Sequence, residues 1–488
     1  MRKLRHLLTE VKTIRNVGSL ERDLENIQFD SRRIGPNDVF VAVRGTQTDG
    51  HRYITTAIER GATTVVAEEL PEAFPEHVTY VQVENSAAVL GQMAAAYYDQ
   101  PSRELKLVGV TGTNGKTTTT TLLHDLFSGL GYKAGLLSTV ENRIGRRVIK
   151  STHTTPDALA INGLLRDMAD AGCDYAFMEV SSHAVHQHRT TGLHFTGGVF
   201  TNITHDHLDY HGTFRAYIEA KRTFFDNLPK SSFALTNRDD RNGEVMLQST
   251  RARRFTYALK RPADYKARVL DNAPTGLHLD LNGHEVFARL IGTFNAYNLT
   301  AAFAVADLLD QDALETLTAL SELRPAAGRF EQIADPTGQN RLGIVDYAHT
   351  PDALEKVLQT LDAVRRPGQR ILTVVGCGGD RDRTKRPKMA RVATERSNQV
   401  ILTNDNPRTE DPQAILFEME AGVPDELQSR VLTIADRRQA IRTAVRLAKA
   451  NDIVLVAGKG HENYQEINGE RTHFNDREEL AVALRESS

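Results

Sequence analysis

Thr111-Gly112-Thr113-Asn114-Gly115-Lys116-Thr117-Thr118 decides the fold. It follows the strand-like run Leu105-Lys106-Leu107-Val108-Gly109-Val110 and precedes an apolar helical stretch from Thr120 to Leu130. A glycine-bearing turn between a strand and a helix lets backbone N–H groups approach phosphate oxygens, and the helix N-terminus adds a positive dipole end. Lys116 then supplies a point charge for β- and γ-phosphates, and the Thr117 hydroxyl suits Mg²⁺. The spacing departs from G-x-x-x-x-G-K-T, because Val110 stands five places before Gly115. A plain strand–helix turn is the competing reading, and Gly-Lys-Thr in this context outweighs it.

Outward from this loop the chain reads as three blocks. Length alone, 488 residues, suggests about three domains. The first block, residues 1–101, holds short strand-like runs such as Val39–Val43 and Thr63–Ala67, separated by turns such as Gly35-Pro36-Asn37-Asp38. The second, residues 102–323, adds Tyr175–Val180 and Gly198–Phe200. Strands alternating with helices there predict an α/β fold with a parallel sheet. The third, residues 324–488, repeats the alternation at Gly343–Val345, Ile371–Val375, Val400–Thr403 and Ile453–Ala457. Each of these runs ends in a Gly- or Asp-rich loop, where open α/β sheets hold ligands.

Composition narrows the class. Apolar residues make up 40% and charged residues 25%, as in ordinary globular chains. A net charge of −3 and the lack of a basic run argue against a nucleic-acid partner. Two cysteines, Cys173 and Cys377, make no disulfide framework and fit a reducing compartment. No apolar run approaches the ~18 residues of a membrane span, and the basic start Met1–Arg5 has no apolar stretch after it. The expectation is a cytoplasmic protein without membrane insertion.

Two polar clusters follow the phosphate loop. Glu179 closes a strand ahead of Ser181-Ser182-His183, a position suited to holding Mg²⁺. Thr204-His205-Asp206-His207-Leu208-Asp209-Tyr210-His211 packs three histidines and two aspartates into eight residues. Zinc would need three or four ligands converging from several elements, and the neighbouring phosphate loop favours magnesium. Lys221, ten residues after His211, reads on its own as a helix lysine.

Taken together, these motifs resemble the Mur ligases of peptidoglycan synthesis. The resemblance rests on Thr111–Thr118, Glu179-Val180-Ser181-Ser182-His183 and Asn202–Asp209. It continues with Gly292-Thr293-Phe294-Asn295-Ala296-Tyr297-Asn298, Gly328-Arg329-Phe330-Glu331 and Asp346-Tyr347-Ala348-His349-Thr350-Pro351, in family order over nearly the whole chain. It implies three α/β domains: an N-terminal UDP-substrate domain, a central P-loop ATPase domain and a Rossmann-like C-terminal amino-acid domain. It also implies an ATP-dependent ligase that joins an amino acid to a UDP-linked muramoyl precursor through an acyl phosphate, acting as a monomer.

Thr403-Asn404-Asp405-Asn406-Pro407-Arg408 and Ala457-Gly458-Lys459-Gly460-His461-Glu462 resemble the members that add meso-diaminopimelate. The chemistry agrees. Arg408 can hold the distal carboxylate bidentately, while Asp405 and Glu462 offer acceptors to the ammonium. Arg381, Asn406, Pro407 and Gly458 complete the implied amino-acid site.

By the same resemblance, Gly112, Thr113, Asn114, Gly115, Lys116, Thr117, Thr118, Asn295, Arg329, Asp346 and His349 contact ATP. Ser31, Thr154, Thr155, Ser181, Gln187 and Arg189 contact the UDP-MurNAc-dipeptide. Thr117, Glu179, His207 and Lys221 hold Mg²⁺, with Lys221 carbamylated by CO₂. Lys116, Glu179, His207 and Lys221 are the implied catalytic set. The same ligase chemistry with L-lysine, and a non-catalytic nucleotide- and UDP-muramoyl-binding regulator, stand as alternatives.

Overall fold

The structure, a computed structural model, describes residues 2–45, 48–72, 74–151, 154–204 and 206–487, without the side chains of 208 and 209. The chain divides into two compact units. One comprises Met1–Gly112, Leu123–Ile203 and His211–Thr256; the other comprises Thr113–Leu122, Thr204–Tyr210 and Tyr257–Ser488.

In the first unit, a five-stranded sheet runs in the order Thr13–Val17, Thr79–Val83, Thr64–Ala67, Val39–Val41, Ile27–Gln28. Only the first of these pairings is antiparallel. A second sheet places Ala134–Leu137, Tyr175–Glu179, Lys106–Thr111, Gly197–Phe200 and Phe233–Asn237 side by side, all parallel. Tyr175–Glu179 is buried throughout, because helices cover both faces of such a sheet.

The expected parallel sheet is therefore present, but it is not the whole sheet. Glu141–Ile144 and Arg147–Lys150 extend it as an antiparallel hairpin. The two residues joining them are too few for the crossover a parallel pairing needs, and Gly145 turns the chain at φ 56°.

In the second unit, Tyr265–Ala273, Gly276–Leu281 and His284–Ala288 form an antiparallel meander. Its larger sheet runs Glu331–Ala334, Leu342–Asp346, Ile453–Ala457, Ile371–Cys377, Gln399–Asn404, Val431–Thr433. All pairings are parallel except the first. Strand ends fall within two residues of those read from sequence, except that the helix after the phosphate loop begins at Lys116, not Thr120. Five threonines in a row, Thr117 to Thr121, hid its first turn, since β-branched residues are weak helix formers.

Both parallel sheets place the expected site residues at the carboxyl ends of strands. Gly112 follows Lys106–Thr111, and Glu179 ends its strand. Asp346 ends another, Arg381 follows Ile371–Cys377, Asp405 follows Gln399–Asn404, and Gly458 follows Ile453–Ala457.

One buried ion pair fixes the last two of these ends. Arg437 and Asp476, the first residues of their helices, have no exposed side-chain surface. Arg437 Nε and Nη2 donate to the two Asp476 oxygens at 2.7 Å each. Its remaining donors reach Ala457 O at 3.0 Å and Asn404 O at 3.5 Å. Arg437→Met strands the Asp476 carboxylate, and urea denaturation is expected to register a loss of about 3–5 kcal/mol. Arg437→Met combined with Asp476→Leu should lose much less, because no unpaired charge remains buried.

Candidate active site

The phosphate loop is built as its sequence suggests. Thr119 N makes the first helical bond, to Gly115 O at 2.9 Å, so the N–H groups of the preceding turn have no intrahelical acceptor. Lys116 Nζ lies back on the loop, donating to Thr113 O at 2.9 Å. Thr113 Oγ1 accepts from Thr204 N at 3.0 Å, tying the loop to the histidine-rich segment.

Asp352, unread in the sequence, is the anchor here. Its Oδ2 accepts from Asn114 Nδ2 and Thr204 Oγ1, both at 3.2 Å, and from Lys356 Nζ at 2.8 Å. Thr117 and Thr118 are buried. Arg329 Nη2 donates to Thr117 Oγ1 at 3.2 Å and its guanidinium lies 4.6 Å from the Tyr347 ring centroid. Asn295 reaches the same helix through Asn298, whose Oδ1 accepts from Thr119 Oγ1 at 3.2 Å. His349 Nδ1 lies 2.9 Å from Tyr347 O.

Asp346 accepts from Phe330 N and Ala348 N, each at 2.7 Å. Burial pushes its carboxyl up from 3.8 to about 6, against the opposing pull of Arg329 and the two N–H groups.

In the first unit the expected muramoyl contacts form one hydrogen-bonded chain. Glu179 is fully buried; its Oε1 accepts from Thr139 N at 2.7 Å. Its Oε2 is buried with no hydrogen-bond partner among the described residues. Thr139 Oγ1 donates to Thr154 Oγ1 at 3.0 Å. Thr155 Oγ1 donates to Glu179 O at 2.9 Å and accepts from Ser181 N at 3.2 Å. Arg189 donates to Thr155 O at 2.7 Å and grips Gln187 Oε1 with two N–H groups, at 2.6 and 3.0 Å. Ser181 caps the helix Ser182–His186. Ser31, buried in the turn Ser31–Arg33, shares no hydrogen bond with this chain among the described residues.

Gly112 and Lys221 belong to the same unit. A Cβ at Gly112 would collide with the Thr201 hydroxyl, so the position admits only glycine. Lys221 does sit in a helix, Phe214–Asp226, but not on its solvent face: it is 1% exposed and donates to Gly112 O at 2.9 Å. His207 is exposed, with φ 54° and Nε2 3.5 Å from Asp206 Oδ2. His211 faces Ser182 Oγ at 3.0 Å. His205 lies outside the described residues.

The amino-acid residues gather in the second unit. Asn406 Nδ2 donates to Glu462 Oε2 at 2.7 Å. A Cβ on Gly458, at φ +117°, would stand 2.8 Å from Asp405 Oδ2. Arg408 Nη1 donates to Gly379 O at 2.6 Å, and a Cβ on Gly378 would meet that nitrogen at 2.9 Å and Arg381 Cγ at 3.9 Å. Both arginines thus flank Gly378. Arg408 itself holds φ 52°, uncommon for a side chain of its size.

A hairpin overlooked in the sequence, Tyr464–Ile467 with Glu470–His473, secures this loop. Glu466 O accepts from Arg408 N at 3.0 Å, Arg408 O accepts from Asn468 N at 2.6 Å, and Gln465 Nε2 donates to Asp405 O at 2.8 Å. Its signal was available: Asn468-Gly469, with φ 51° and 80°, is a two-residue hairpin turn.

The strand–loop–helix turn and the two large, mostly parallel sheets define a phosphate-loop α/β protein, and the comparisons with known proteins name its family. Family models described as "Mur ligase family, catalytic domain", "Mur ligase middle domain" and "Mur ligase, glutamate ligase domain" match residues 23–98, 110–306 and 328–460. Relatives from Cytophaga hutchinsonii and Phocaeicola vulgatus are 54% and 53% identical over 97% and 98% of both chains. Each is named UDP-N-acetylmuramoyl-L-alanyl-D-glutamate–2,6-diaminopimelate ligase. A solved structure of that name is 34% identical, with TM-score 0.71 over 99% of this chain and 98% of its own. MurF ligase from Thermotoga maritima, solved with ADP, shares the fold at 18% identity and TM-score 0.62, over 95% of this chain and 97% of its own. The chain belongs to the Mur ligase family, and its architecture is the three-domain α/β arrangement of that family.

The Asp346 carboxyl gives a pH-dependent stability. Its value in the folded protein lies above the ordinary one, so its contribution is full below about pH 3.8 and is lost as pH rises through about 6. Urea melts between these values should show the wild type losing up to ~3 kcal/mol relative to Asp346→Asn. The amide's poorer fit to two N–H donors adds an offset that does not vary with pH.

Proposed function

We infer that the protein joins meso-2,6-diaminopimelate to UDP-MurNAc-L-Ala-D-Glu with ATP, releasing ADP and phosphate, in cytoplasmic peptidoglycan precursor synthesis. The observation that carries this reading is one loop bearing Asp405, Asn406 and Arg408, with Asn406 bonded to Glu462 and Arg408 held on Gly379 O, in a chain more than half identical to relatives named for that reaction. Diaminopimelate ends in both a carboxylate and an ammonium. Lysine offers only the ammonium and would leave Arg408 without its anion.

In the reaction, a D-glutamyl carboxylate oxygen bonds to the γ-phosphorus as the bond to ADP breaks, giving an acyl phosphate. The diaminopimelate amine then attacks the carbonyl carbon. Phosphate leaves with the C–O bond pair, and the amine loses a proton. A carboxylate approaching a triphosphate is repelled, so fixed cations must offset the charge. Lys116 does this from the loop, with the first-turn N–H groups. Asn295, Arg329, Asp346 and His349 orient the nucleotide. Thr154, Thr155, Ser181, Gln187 and Arg189 bind the muramoyl dipeptide, and Ser31 binds its uridine end.

The donor set suits Mg²⁺. Glu179 offers Oε2, buried with no hydrogen-bond partner among the described residues, and Thr117 offers a hydroxyl. His207 and Lys221 complete the set, Lys221 as a carbamate formed from its neutral amine and CO₂ with loss of a proton. Mg²⁺ would neutralise charge between phosphate and carboxylate. We keep 1–101, 102–323 and 324–488 as the three segments, and a monomer as the working form.

Phosphate release with meso-diaminopimelate and with L-lysine, with the product weighed by mass spectrometry, tests the reading. Turnover with diaminopimelate is expected. Turnover with lysine alone would reverse the role given to Arg408, and none with either would favour a binding protein. Arg408→Ala should lower kcat/KM for diaminopimelate by ~100-fold or more. Lys221→Ala should abolish turnover, with partial rescue by short carboxylates if a carbamate is the working group.

A further inference from the structure

Lys459 has no exposed surface, which is rare for lysine unless it is paired. It sits between Gly458 and Gly460 in the loop after Ile453–Ala457. Its Nζ lies 3.0 Å from Asn406 Oδ1, 3.2 Å from Glu462 Oε2 and 3.7 Å from Asp405 Oδ1. Asn406 is locked by the same contacts. Its Oδ1 accepts from Lys459 and from Glu466 N at 3.0 Å, while its Nδ2 donates to Glu462. Glu462 Oε2 therefore receives two donors from the chain, and Oε1 receives neither of them.

We propose that Lys459 is a positioning residue that sets the charge of the amino-acid pocket. It lies between Asp405 and Glu462, favours the ionised Glu462, and leaves one net negative charge for the ammonium of the incoming amino acid. Arg408 is left to meet the carboxylate. The proposal rests on the diaminopimelate reading above. Without Lys459, burial and the neighbouring Asp405 would drive Glu462 towards its neutral form. With Lys459 and Arg408 set against Asp405 and Glu462, the pocket is neutral overall and matches a zwitterion end.

The groups around Glu462 come from every neighbouring element. Asp405 and Asn406 follow Gln399–Asn404, Tyr347 follows Leu342–Asp346, Arg437 starts its helix, and Tyr464 and Arg471 lie on the hairpin. Burial first, then Asp405, push the Glu462 carboxyl up; Lys459 and Asn406 pull it back. Removing Lys459 must raise it further. A protonated Glu462 cannot pair with an ammonium, so the acid limb of kcat/KM for the amino acid moves to higher pH.

Steady-state kinetics of the full chain over about pH 6–9, with each substrate varied in turn, test this. Lys459→Met should raise KM for meso-diaminopimelate ~10–100-fold at neutral pH, leave KM for ATP nearly unchanged, and shift the acid limb up by about one unit or more. Lys459→Arg should restore most of the limb. An unmoved limb in a folded Lys459→Met, or an equal KM rise for all three substrates, would overturn the proposal.

If Lys459→Met fails to fold, Lys459→Met with Glu462→Gln removes the stranded carboxylate. It should fold and lose the limb, and a retained limb would overturn the proposal. Wild type inactive with diaminopimelate sinks the functional reading and this inference with it. Active wild type with unshifted variants sinks this inference alone.

Discussion

The Arg437–Asp476 pair is the constraint on which the amino-acid end of the molecule depends. Two ions removed from water are stable only where good hydrogen bonds replace the lost hydration. Arg437 bonds one carboxylate and two strand-end carbonyls, Asn404 O and Ala457 O. The two strand ends cannot drift apart without breaking those bonds. The loops leaving them carry Asp405 to Arg408 on one side and Gly458 to Glu462 on the other. The geometry of both loops thus begins one layer behind them, in a fully buried pair.

The phosphate loop is supported in a similar way. Asp352 collects Asn114, Thr204 and Lys356 on one oxygen, so the loop and the histidine-rich segment share an anchor. In the other unit the Thr139–Glu179–Thr155–Ser181 chain plays that part. The Thr139 N–H fixes the Glu179 carboxylate by one oxygen, while the Thr155 hydroxyl holds its main-chain carbonyl. In each case hydrogen bonds from neighbouring groups fix the orientation of a polar side chain.

Much of this was legible in the sequence because it is written in local spacing. Gly-Lys-Thr after an apolar strand, Asp-Asn-Pro-Arg and Gly-Lys-Gly-His-Glu each sit where a parallel strand ends, and the periodicity of the strands was plain. What was hidden depends on distant partners. Lys221 reads as a helix lysine until the Gly112 carbonyl, more than a hundred residues away, appears beside it. Lys459 reads as part of a glycine-rich turn, and its burial requires Asp405, Asn406 and Glu462 to be brought together. Asp352 stands just past the Asp346–Pro351 motif, and its partners Asn114 and Thr204 lie far away in sequence. The antiparallel hairpins are hard to read in sequence because only a two-residue turn marks each one within an alternating pattern of strands and helices.

The hairpin at Tyr464–His473 grips the Arg408 loop through main-chain atoms: Arg408 N to Glu466 O and Asn468 N to Arg408 O. No side chain at 408 takes part in that grip. The shape of the loop is therefore inherited independently of the residue at 408, proposed above to read the amino acid. Descent can exchange that residue without rebuilding the fold. The left-handed backbone at 408 even relaxes when glycine or asparagine takes the place of arginine. This position is therefore open to drift and selection, while the main-chain supports around it stay fixed.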